Sequence, residues 1–107
     1  MSKDFAALLR DVERYREDPR FEPYFREPRD EAERQGLLDR VGVRQGVRSG
    51  QPIIRGMRIT VRDVLEWAGV GVTPAELIVE WPWMESDDVR AALLFARASI
   101  VDVPADM

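Results

Sequence analysis

Three helix starts follow one another closely in the later part of this chain, each with its own stop, and that punctuation limits what the sequence can fold into. Thr60 precedes Val61, Val64, Leu65 and Ala68, spaced i, i+3, i+4 and i+7, and Gly69 and Gly71 close the segment. Thr73-Pro74-Ala75-Glu76 is a capping box with proline at the first helical position. Its threonine hydroxyl takes one orphan amide and its glutamate reaches back to another. The helix it opens carries Leu77 and Ile78 and stops at Trp81-Pro82. Ser86 is expected to cap a third helix, with Asp87 and Asp88 in the positive first turn and Val89, Ala92, Leu93 and Ala96 along one face. Three short helices separated by tight turns predict a bundle of the helix-turn-helix type.

The earlier part is less regular. Phe5, Leu8, Leu9, Val12 and Tyr15 have helical spacing, which predicts a helix capped by Ser2 and ending near Asp18, before Pro19. Residues 19–28 hold Phe21, Tyr24, Phe25 and three prolines and are expected to be irregular. Pro28 and Gly36 bracket a short polar helix. Between 37 and 59, glycines interrupt Val41, Val43, Val47, Ile53 and Ile54, a pattern of two or three short strands with a turn at Ser49-Gly50. The expected fold is therefore mainly α (α+β). A three-helix, helix-turn-helix or winged-helix-like core with a short strand region occupies 37–107, and an N-terminal helical arm occupies 1–36.

At 107 residues the chain is sized for one domain, and 45% hydrophobic with 34% charged residues suits a globular one. Cysteine and histidine are both absent. Thiolate zinc sites, cysteine nucleophiles and the usual general base are excluded with them, and no cofactor or metal is expected. There is also no phosphate-cradling glycine loop or nucleophile elbow, so enzymatic activity is not expected. No apolar run nears the length of a membrane span and the first residues do not form a signal pattern, which points to a cytoplasmic protein.

The net charge of −4 conceals an uneven layout. Residues 40–62 hold Arg40, Arg44, Arg48, Arg55, Arg58 and Arg62 and no acid, whereas 63–107 hold nine acids against Arg90 and Arg97. One reading is a surface that contacts phosphates or carboxylates, since guanidinium binds both in a forked manner. The other is that these arginines pair with the acidic flanks. If DNA is bound, Asp87 and Asp88 argue against base reading by the third helix, and the contacts fall to Arg44, Arg48, Arg55 and Arg62 as a wing or hairpin.

The segment from Gly50 to Ala98 resembles the domain-of-unknown-function 433 family. The resemblance rests on Gly50, Pro52, Ile54, Gly56, Arg58, Ile59 and Val61, then Gly71, Ile78 and Trp81-Pro82, then Val89, Ala92 and Leu93. It implies a small, commonly dimeric helix-turn-helix protein that acts as an antitoxin against a PIN-like ribonuclease toxin and represses its own operon by binding DNA. Arg58 would then either tie the strand segment to the helices or enter the carboxylate cluster that holds the nuclease's metal. Trp67, Trp83, Leu94 and Phe95 lie off the core stripes. They are expected to form a second apolar surface for a homodimer, unless residues 1–36 cover them. Phe21, Tyr24 and Phe25 would clamp a toxin or belong to an arm exchanged between subunits. The alternatives to an antitoxin are a stand-alone DNA-binding regulator and a purely structural oligomer.

Overall fold

The computed structural model describes residues 5–43, 45–47, 50–55 and 57–100. Their order is helix α1 (Phe5–Tyr15), a 3-10 turn (Glu22–Phe25), α2 (Glu31–Leu38), strands β1 (Val41–Gly42) and β2 (Ile53–Ile54), then α3 (Val61–Gly69), α4 (Pro74–Glu80) and α5 (Ser86–Ile100). The fold is mainly α, with one small antiparallel sheet in which Val41 faces Ile54 and Gly42 faces Ile53. Of the two or three short strands expected, two form, and an isolated bridge joins Ile53 to Thr60. Of the residues expected at turns and caps, Ser2, Ser49 and Gly56 lie outside the described residues.

Local chemistry sets the helix starts. Thr60 and Thr73 each form a complete capping box, with Asp63 and Glu76 respectively. Gly71, at φ 95°, makes the turn between α3 and α4, a left-handed conformation that a side chain would strain. Several expected boundaries move. α2 runs from Glu31 to Leu38 behind an Asp30 cap, so Pro28 does not open it and Gly36 lies within it. α1 ends at Tyr15 rather than near Asp18, because Asp18 is held in a turn by its own amide to Tyr15 O (3.1 Å) and takes Arg20 on its carboxylate. Ser86 is the first residue of α5 rather than its cap. The Glu85 amide before it donates to the Asp88 carboxylate at 2.8 Å.

α5 is the central element. It touches α1, α2, the 3-10 turn, α3, α4 and β1, and Val89, Ala91, Ala92, Leu93 and Ala96 are all fully buried. The small alanines let these neighbours approach closely, and the apolar area removed from water is the main term holding them there. α1 is not a detached arm. Leu8, Leu9 and Val12 enter the same core as Val61, Leu65 and Leu93. A satellite cluster of Leu37, Ala91 and Leu94 seats α2 on another side of α5.

Candidate functional site

The most constrained polar constellation lies where the strand pair meets the start of α5. Asp88 has no solvent exposure, although its partners Arg40 and Arg55 keep 26% and 36% of their side-chain surface in water. Arg55 grips the carboxylate with both arms of its fork, Nε to Oδ1 at 2.6 Å and Nη2 to Oδ2 at 2.7 Å. Arg40 Nη1 donates to Oδ1 at 3.0 Å and also to Glu85 at 2.8 Å. Burial pushes the Asp88 carboxyl up. The Arg55 guanidinium, the Glu85 amide and Arg40 outweigh it, so the group sits below the ordinary carboxylate range. Arg40 and Arg55 are correspondingly held above the ordinary arginine value, chiefly by their hydrogen bonds to Glu85 and Asp88.

This cluster also joins two loops. The Arg55 amide donates to the Arg40 carbonyl at 2.6 Å, extending the strand pairing, while its Nη2 reaches the Trp83 carbonyl at 2.9 Å. Arg55 therefore holds the turn after β2 against the loop between α4 and α5. Its backbone is left-handed, at φ 44°, a conformation that costs an ordinary residue roughly 1–2 kcal/mol. The ion pair and the two backbone bonds offset that strain. Arg58, three residues on, and Trp83, across the junction, are both exposed.

The remaining candidates separate by environment. Arg62 turns to Glu66, one turn along α3, at 2.7 Å. With Arg40 and Arg55 it shows three of the six arginines of the basic stretch paired with acids from the following segment. Arg44 and Arg48 lie outside the described residues. Phe21 and Phe25 belong to the core and Tyr24 packs against it, so the aromatic–proline stretch does not project as a clamp. Leu94 is buried under α2 and Phe95 is half-buried on the main core. The expected second apolar surface is thus largely covered from within, because α1 and α2 wrap α5. Trp67 is half-buried and stacks on Trp81, with ring centroids 4.7 Å apart and planes 23° apart. Trp83 alone of the four off-stripe residues stays prominent, at 57% exposure.

Asp88 was readable as a helix cap but not as the counter-ion of the basic stretch. The available signal was its place four residues before Ala92, on the stripe that faces the core. Trp81 was readable only as part of a helix stop. Among the described residues, no group of three acidic or other ligating side chains is gathered to hold a metal. No helix among them is long and apolar enough to cross a membrane.

Comparison with known protein families gives a match. The model of the family described as Protein of unknown function (DUF433) fits residues 41–96, from β1 through most of α5. No curated protein and no solved structure matches.

Proposed function

Starting from the fact that the chain belongs to the DUF433 family, we propose that it works by binding, as an antitoxin-like cytoplasmic protein that masks a PIN-like ribonuclease. The observation that carries this reading is the Arg55 junction. It holds two loops together through Asp88 and the Trp83 carbonyl, and each loop presents one exposed residue of the kind that anchors interfaces, Arg58 and Trp83. Loops tied together in this way lose less entropy on association than free ones, so such anchors deliver more of their contact energy. A guanidinium at Arg58 matches the carboxylates with which a nuclease of this class holds its metal, and a forked pair there would exclude metal or substrate. Trp83 supplies adjoining apolar contact.

DNA reading has less support. α5 is enclosed on most sides and cannot lie in a groove, and α4 carries Glu76 and Glu80 and no cation. Carboxylates facing phosphates repel them. Arg40, Arg55 and Arg62 already hold carboxylates of this chain.

The test is inhibition of RNA cleavage by a PIN-like nuclease encoded beside this gene. Arg58→Ala and Trp83→Ala are each expected to weaken inhibition by ~10-fold or more, as loss of an interface anchor does, with unchanged circular dichroism. Full inhibition by Arg58→Ala would remove that residue from the interface. Salt-sensitive binding to the gene's own promoter without any nuclease would favour the regulator instead.

A further inference from the structure

Beside the turn between α3 and α4 lies an open groove of about 330 Å³ lined by Trp67, Val72, Glu76, Leu77, Glu80 and Trp81. Its floor is apolar: Leu77 is buried, and Trp67, Val72 and Trp81 pack against the core. Its rim is acidic, with Glu76 and Glu80 both exposed. Glu76 is held below the ordinary glutamate range, first by the Thr73 amide and then by the Thr73 hydroxyl. Arg20 contributes weakly at long range, but its guanidinium is already fixed on Asp18 by two bonds. The α4 helix brings no cation of its own.

A π surface beside two carboxylates is the chemistry that selects a cation with an apolar stem. The indole quadrupole attracts the charge, the carboxylates complete its neutralisation, and the methylenes lie on the apolar floor. The same rim repels phosphates, which excludes a nucleic acid. The groove is open along its length, a shape for a side chain carried on another backbone rather than for an engulfed small molecule. We propose that this groove docks a basic segment of a partner protein, with an arginine or lysine side chain over the Trp67–Trp81 pair and its charge facing Glu76 and Glu80. The proposal does not depend on the ribonuclease reading, since it concerns different residues.

The probe is a tetra-arginine peptide, with tetra-glutamate as control, added to the whole protein while the three indole N–H signals are followed by nitrogen–proton NMR. The signals of Trp67 and Trp81 are expected to move saturably and that of Trp83 to stay, with binding weakened by added salt. Glu80 is exposed, so Glu80→Arg is expected to keep the fold, which circular dichroism checks. This variant is expected to weaken binding by about tenfold, as is Trp81→Ala, through lost charge and lost π contact respectively. Equal binding of tetra-glutamate, movement of Trp83 alone, or undiminished affinity in Glu80→Arg would overturn the proposal. So would a wild-type dimer in sedimentation that Trp81→Ala splits into monomers, because the occupant would then be a second copy.

Discussion

Asp88 shows how one residue can serve stability and presentation together. It is sealed from water while both guanidiniums that neutralise it reach the surface, which makes the two halves of the cluster unequal. Asp88→Ala returns both arginines to solvent they already touch and loses one amide partner, for ~1–3 kcal/mol of stability. The double change Arg40→Ala with Arg55→Ala leaves a buried carboxylate without a counter-charge and is expected to cost more, ~3–5 kcal/mol. Urea unfolding of both proteins checks the order, and a larger loss in Asp88→Ala would contradict this account. At this scale the sequence was half legible. The acid-free run of arginines and the acidic tail pointed either to a phosphate surface or to internal pairing, and only the approach of β2 to the start of α5 decides between them for Arg40 and Arg55. Nothing local announces that approach, because the partners stand 33 and 48 positions apart.

Elements were read best where their ends carry their own chemistry. The Thr73 box, the helix start at Thr60, the glycine turn and the apolar spacing of α3 were visible in the sequence and are found where expected, whereas the second box, between Thr60 and Asp63, was not read there. Thr73→Ala removes the oxygen that accepts the Glu76 amide and is expected to cost ~1 kcal/mol. A thermal midpoint indistinguishable from wild type would show that the box adds nothing to α4. Two short strands were legible from the β-branched residues and glycines, and pairs this short also owe their existence to tertiary anchors such as Arg55. The off-stripe apolar residues of α5 pointed either to a dimer face or to cover by residues 1–36, and their spacing alone does not choose between the two. A helix wrapped on several sides has no single buried stripe, so Leu94 finds its cover under α2 and Phe95 packs on the main core.

For the whole molecule, α5 also carries the long-range charge pairs. Its Arg97 reaches Glu13 of α1 and Glu27 beyond the 3-10 turn, Arg90 reaches Glu33 of α2, and Asp88 takes the strand region. Glu13, Glu33 and Asp88 are all held below their ordinary values. The principal cause is Arg16 for Glu13 and Arg29 for Glu33, with Arg97 and Arg90 adding to each; at Asp88 the arginines prevail over burial. Carboxylates depressed in the folded state contribute stability that is present above their unfolded pKa and lost as pH falls through the folded one. The thermal midpoint is therefore expected to hold from neutrality to about pH 5 and to fall below about pH 4. A midpoint that climbs on acidification would contradict the pairing. The radius of gyration, 13.2 Å, equals the roughly 13 Å of a compact chain of this length, as expected when α1 lies on the body. The position of α5 late in the chain has a consequence for synthesis. During synthesis α1 leaves the ribosome before the other elements, yet much of the surface it packs on is not made until residues 86–96 have cleared the exit tunnel. Until that moment α1 has only part of its partners, chiefly α3, and the shared core cannot close.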